Sequence, residues 1–318
     1  MTQSDFNSYC HNMLGCDMAL LLRAMESSPS SRGYVLGAIS EVLLKDSLEG
    51  LGYEVIRIVE KPSGGYDAKS DEARGDFYVR EKGSKEDNWL VVESKGLKSN
   101  SEFRGAKFDS RDKVFRFLQA LAFRPRDWKR ECYARGLRRY EATKEAWERK
   151  NGKGKFPAFR WPKDTPGPIT CDLSGLWKDE KELRAYVDSL PGEAFSEQAY
   201  RHCRGALAVL ETHKPSTRVA PITGIKQAAP LVVEFSVLAV DLYLRTRCHE
   251  FAFVDPEAIS HSPTSPEHLY QNYTIDVLIP GLKTSPCFIH PWYNNFRECV
   301  EATKPSQRKL DPSQIDRR

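Results

Sequence analysis

The stretch Gly75-Asp76-Phe77-Tyr78-Val79, together with Trp89-Leu90-Val91-Val92-Glu93-Ser94-Lys95-Gly96, decides how this chain is read. Both are short apolar runs rich in aromatic and β-branched residues, as strands are. The first opens on Asp76 and the second closes on Glu93 and Lys95. Strand side chains alternate between faces, so Glu93 and Lys95 project to one side and Ser94 to the other. The polar segment 81–88, with Gly83, suits a hairpin connection that brings Asp76 beside the end of the second strand.

Two carboxylates held side by side repel each other unless something neutralises them. A hard cation does so, and Mg²⁺ takes one or two carboxylates along with waters and substrate phosphate. An adjacent ammonium, Lys95, can orient or help deprotonate an attacking water and stabilise negative charge as it develops. Glu41, in the apolar helical stretch upstream, supplies a further oxygen ligand or a water-mediated contact. Taken singly these residues have ordinary roles. Asp76 suits a turn, Glu93 and Lys95 a strand-end salt bridge, and Glu41 an ion pair with Lys45 one helical turn on. Their joint order points to a divalent-metal site for phosphodiester cleavage.

Working outward, residues 5–25 are expected to be helical, with a break at the serines around Pro29. A second helix is expected from about Gly33 to Gly50. It is apolar around most of its circumference and is therefore expected to be buried. Tyr53–Val59 alternates like a strand. After residue 98 a polar stretch leads to a helix carrying Val114, Phe115, Leu118 and Leu121, then to a long basic helix from about Arg126 to Lys150. The segment 151–168, rich in Gly, Pro and Lys, reads as a loop. Helical patterns return near 178–190 and 195–213, and strand patterns at 231–244, 250–254 and 273–279. The last dozen residues are expected to fray. These elements imply an α/β fold organised as two parts: 1–122 with the N-terminal helices and the carboxylate-lysine strands, and 123–318 packed on it as one unit.

The 318-residue chain has the composition of a globular protein, 40% hydrophobic and 29% charged, with no apolar run able to span a bilayer. It opens without the basic and apolar segments of a signal peptide, and its eight cysteines form no Cys-x-x-Cys pair. A cytoplasmic protein with reduced thiols, no membrane partner and no zinc cage is expected. The net charge of +4 is modest, but between Arg124 and Lys163 there are 14 Lys or Arg against 5 Asp or Glu, an excess of 9. A field of one sign on that scale attracts polyanions through counterion release. Arg135, Arg138, Arg139, Lys153, Lys155 and Arg160 are the candidates for backbone contact, with Phe156, Phe159 and Trp161 interleaved for stacking. Lys98, Ser99 and Asn100, just past the second strand, are placed to touch phosphates near a cut. A solvated basic helix is the alternative for the first group.

In this order, helix Glu41, then Asp76, then Glu93-Ser94-Lys95, the chain resembles the PD-(D/E)xK nucleases over about residues 33–122. Gly75 stands where that family carries its proline. The resemblance implies a restriction-endonuclease-like fold, a central mixed β-sheet flanked by helices, with the remaining helical and β elements serving DNA recognition. It implies Asp76, Glu93 and Glu41 as Mg²⁺ ligands, Lys95 acting on the nucleophile, and 5′-phosphate and 3′-hydroxyl products. Without a Walker A loop or attached helicase no nucleotide cofactor is expected. The chain then looks most like a type II restriction endonuclease, cutting double-stranded DNA at a specific sequence as a homodimer. A repair, recombination or phage-defence nuclease that is structure-specific or modification-dependent is the first alternative. An inactive DNA-binding module is the second.

Overall fold

A computed structural model describes residues 3–59, 75–105, 107–123, 128–153, 171–212, 218–219, 226–227, 230–259, 261–262, 265–269, 274–282, 286, 288 and 290–317. The chain opens with three helices, α1 (Gln3–Leu14), α2 (Met18–Ser27) and α3 (Pro29–Gly50). The single helix expected over 5–25 is broken because Gly15 takes a left-handed φ of 65° and Asp17 caps α2, accepting from the Leu20 amide at 2.7 Å. α3 starts earlier than its pattern suggests. Ser28 caps it, with its hydroxyl accepting from the Ser31 amide, and Pro29 fills the first turn, where no amide hydrogen is needed.

The centre of the molecule is a five-stranded sheet. Strands β1 (Tyr53–Arg57), β2 (Phe77–Glu81) and β3 (Leu90–Gly96) form an antiparallel meander, turned between β2 and β3 at Gly83, whose φ of 84° an L side chain rarely adopts. The chain leaves the sheet through α4 (Arg111–Ala122), α5 (Trp128–Asn151) and α6 (Glu180–Ser189), then β4 (Ala208–Glu211), the short strands β5 (Arg218–Val219) and β6 (Lys226–Gln227), and returns as β7 (Val237–Asp241). β7 lies parallel to β3. After the short helix α7 (Tyr243–Thr246), β8 (Phe251–Val254) closes the sheet antiparallel, giving the order β1-β2-β3-β7-β8. β9 (His261–Ser262), β10 (Ser265–Leu269), β11 (Thr274–Leu278) and α8 (Phe296–Thr303) follow. The fold is thus α/β with a mixed central sheet flanked by helices. Because β7 and β8 belong to that sheet, the expected division at residue 122 does not separate it from the rest.

Alternation sorts the sheet's side chains into two cores. On one face Val55, Phe77, Val79, Leu90, Val92 and Val237 pack against Leu44 and Leu48 of α3 and Phe296 of α8. On the other, Tyr78, Val91, Leu238 and Val240 meet Leu210 of β4 and Ile275 of β11. These two strands pair antiparallel, and their opposite side, Val209 and Val277, belongs to a further core with Leu118 of α4 and Leu183 of α6. Apolar burial on this scale, about 25 cal/mol per Å² removed from water, is the main force holding the layers together.

Three expectations are corrected here. α3 is buried only along Ser40, Leu44 and Leu48, while Tyr34, Ile39, Val42 and Leu43 are exposed. The helix expected over 195–213 is instead a 3₁₀ turn at Tyr200–His202 and strand β4, because Gly205 takes a φ of 91° and Leu207 and Val209 must enter the core together. The C-terminal residues are docked, not frayed. Gln314 and Asp316 exchange backbone hydrogen bonds with Val59 and Arg57, covering the outer edge of β1, and the Tyr78 hydroxyl donates to Gln314 Oε1 at 2.7 Å.

Candidate active site

Asp76 immediately precedes β2, and its backbone extends the ladder on both sides. Its amide donates to the Val92 carbonyl at 2.8 Å and its carbonyl accepts from the Ile58 amide at 2.9 Å. Phe77 lies opposite Val92, and the Asp76 amide bonds the carbonyl of that same Val92, so the ladder is irregular at Asp76 and its carboxylate is carried to the Ser94 amide. Tyr78 and Val91, opposite each other, point into the β4/β11 side of the sheet, and alternation along β3 puts Glu93 on that same face. Such close approach requires Gly75. A Cβ there would stand 2.5 Å from Val91 Cγ1 and 2.9 Å from the Val92 carbonyl oxygen, distances no side chain tolerates. Position 75 is therefore glycine for a local steric reason.

The Asp76 carboxylate accepts from the Ser94 amide at 2.6 Å. Glu93 and Lys95 form an ion pair, and Lys95 Nζ also donates to the Ser94 carbonyl at 3.0 Å. Ser94 faces α3, its hydroxyl 3.4 Å from that of Ser40. Burial pushes the Glu93 carboxyl up to about 7; Lys95 pulls it down, while Asp76 and Glu234 push it up further. A carboxyl raised chiefly by burial, with a second carboxylate adding to the shift, gains from a nearby cation, and the oxygen donors fit a hard, oxygen-preferring ion. Among the described residues no group of three or more His, Cys, Asp or Glu is arranged as a metal cage. Two carboxylates are what Mg²⁺ commonly takes when water and phosphate complete its shell.

Glu234 is the site residue that sequence reasoning missed. It ends the 3₁₀ turn Val232–Glu234, is buried, and accepts from the Leu231 amide at 3.2 Å. Ser236 ties this turn to β3: its amide donates to the Val91 carbonyl at 2.7 Å and its hydroxyl accepts from the Val91 amide at 3.0 Å. The available signal was the one used for Glu93, a charge embedded in an apolar run, here Leu231-Val232-Val233-Glu234-Phe235.

Asp76, Glu93 and Lys95 are thus brought together. Glu41 lies on the helix that touches Ser94 through its neighbour Ser40, and its carboxylate accepts from Arg57 at 2.6 Å. Lys45, the alternative partner, pairs with Glu49 instead.

The DNA-contact candidates separate. Lys98 is buried and bonded to Glu211 at 2.5 Å, with Lys107 on the other carboxylate oxygen at 3.5 Å, so its expected phosphate contact is corrected. Burial and Glu211 act on it in opposite directions, burial prevailing to lower its pKa. Beside it Arg245 clasps Glu102 with two 2.7 Å hydrogen bonds and reaches the Lys98 carbonyl. Ser99 and Asn100 are exposed on the following turn. Arg135, Arg138 and Arg139 are exposed along α5, at helical spacing that puts them on one side, and Lys153 is exposed just past its end. Lys155, Arg160, Phe156, Phe159 and Trp161 lie outside the described residues. No helix among the described residues is long and apolar enough to cross a membrane. No family model matches the chain, and no curated protein or solved structure matches it either.

Proposed function

We propose that this chain is a Mg²⁺-dependent endonuclease that hydrolyses double-stranded DNA, with a restriction-endonuclease-like core and the specificity of a type II restriction enzyme. The observation that carries the reading is the meeting of Asp76, Glu93 and Lys95 at the ends of two neighbouring strands. The strand order also supports it: an antiparallel meander bearing all three residues, followed by a crossover to a parallel strand.

Asp76 and Glu93 would hold Mg²⁺, which when bound supplies Lewis-acid stabilisation of the scissile phosphate and a more acidic water. The chain's own groups do the rest. The Ser94 amide fixes the Asp76 carboxylate, so its second oxygen is presented in one orientation. Lys95, anchored on Glu93 and on the Ser94 carbonyl, holds positive charge where the attacking water and the pentavalent phosphorus would develop negative charge. Arg135, Arg138 and Arg139 supply sequence-independent attraction to the duplex backbone.

Digestion of plasmid DNA by the purified protein with Mg²⁺ tests the reading. Discrete fragments with 5′-phosphate ends are the expected result. A smear, or cleavage confined to branched or modified DNA, would transfer the same site to a repair or defence nuclease, and binding without any cleavage would leave a DNA-binding module.

A further inference from the structure

Three turns meet around one buried ion pair just past the candidate site. Arg245 on α7 clasps Glu102 and donates to the Lys98 carbonyl at 2.8 Å. These bonds fasten the turn after β3, residues 98–105, to the turn after β7, residues 243–249. The third turn, residues 200–204, joins through Tyr200, which packs edge-on against Phe103 with ring centroids 5.0 Å apart. β4 closes the junction, its Val209 amide donating to Glu102 at 2.8 Å and its Glu211 pairing with Lys98. Taking such charges out of water is costly, so the pairs are better understood as fixing geometry than as adding stability.

What they fix is a set of cations. The three turns expose Arg104, Arg201, Arg204 and Arg247, and among the described residues none of the four pairs with a carboxylate. Glu102, the one acid within the turns, is buried under Arg245. The flanking exposed acids are Glu197, Glu250 and Asp109, the last held by Lys113 at 2.7 Å. Arg247 also takes a left-handed φ of 65°, a conformation that costs a non-glycine residue and that tends to persist where it serves a site. β3 and β7 run parallel with Gly96 opposite Asp241, so the first two turns leave the sheet at the same end. Lys98 follows Lys95 by three residues, roughly 10 Å of chain at most.

We infer that Arg104, Arg201, Arg204 and Arg247 form a phosphate-backbone contact of their own, separate from that of α5, for duplex DNA lying across the carboxyl ends of β3 and β7. Ligands of open α/β sheets bind at such strand ends, and unpaired guanidinium groups hold phosphate oxygens in bidentate geometry. The choice of duplex as occupant rests on the proposed cleavage, because DNA that reaches Lys95 must pass beside these turns. Binding without turnover reads the contact separately.

The affinity of the full chain for a duplex oligonucleotide, measured in Ca²⁺ over a series of salt concentrations, tests it. The triple variant Arg104→Gln, Arg201→Gln, Arg247→Asn, with asparagine chosen because it tolerates left-handed backbone, should lower the slope of log affinity against log salt by roughly 2–3. Lys82→Gln, Lys85→Gln, on the hairpin at the other end of β3, should leave the slope unchanged. An unchanged slope in the triple variant, an equal fall per charge in the hairpin variant, or a wild-type protein that binds no duplex would overturn the inference. Should the triple variant not fold, Arg104→Gln, Arg201→Gln leaves the left-handed position intact and should lower the slope by roughly 1–2. A protein that shows these slopes but never cuts supports the contact and refutes the cleavage alone.

Discussion

The Asp76 carboxylate accepts its 2.6 Å hydrogen bond from the amide of Ser94, the residue between Glu93 and Lys95. The acid of one strand is therefore oriented by the backbone that sets the acid and the amine of the next. Replacing Asp76 by Ala removes a proposed metal ligand and one acceptor, the latter worth about 1 kcal/mol of stability. Cleavage should be abolished and duplex affinity should stay within a few-fold, measured by single-turnover rates and gel shifts. Normal turnover by this variant would remove Asp76 from the mechanism.

Glu93 sets a pH dependence that can be read without any assay of cleavage. Its carboxyl is raised from 4.5 to about 7, so the folded protein holds that proton more tightly than the unfolded chain does. The stability it contributes is complete below about 4.5 and is lost as pH rises through about 7. The urea midpoint should fall across that window in the wild type and fall less in Glu93→Gln. Mg²⁺ added above pH 7 should raise the wild-type midpoint and leave that of Glu93→Gln unmoved. Equal responses of the two proteins to Mg²⁺ would exclude Glu93 as a ligand.

Gly75→Ala should act out of proportion to one methyl group. The new Cβ would press on the Val92 carbonyl and Val91 Cγ1, forcing β2 away from β3 at the point where Asp76 and Glu93 meet. A loss of about 1–3 kcal/mol is expected, as for other overpacked sites, with a fall in metal affinity. Calorimetric titration with Mg²⁺ and urea unfolding measure both.

Lys98 and the α5 arginines should behave as opposites. Lys98→Ala leaves Glu211 buried with only the half-exposed Lys107, and should cost about 3 kcal/mol by chemical unfolding while leaving the salt dependence of DNA binding unchanged. Neutralising Arg135, Arg138 and Arg139 together should leave stability nearly untouched and reduce the slope of log affinity against log salt by roughly 2–3. An unchanged slope would make α5 a solvated helix and nothing more.

The pairing of β2 with β3 was legible because it rests on local signals: alternation, a short polar turn with Gly83, and charges at the strand ends. Glu234 was not, because its approach to Glu93 depends on Ser236 fastening a distant turn to Val91. The burial of Lys98 escaped for the same reason, since its partner Glu211 arrives on a strand that pattern alone reads as helix. α3 misled in a different way. Apolar residues around a whole helix suggest burial on all sides, and one side of this helix is exposed instead. The docked C-terminus depends on edge pairing with β1, which short polar residues near Asp311 and Gln314 do not announce.

The most direct measurement compares wild-type protein and Lys95→Ala on the same supercoiled plasmid, each with Mg²⁺ and with Ca²⁺. Ca²⁺ should support binding but no cutting, since the larger ion positions the water poorly. Wild-type protein with Mg²⁺ should cut the duplex, and Lys95→Ala should be slower by about a hundred- to a thousandfold. Intact plasmid under every condition, or equal cutting by both proteins, would contradict the assignment of a nuclease centre to Asp76, Glu93 and Lys95.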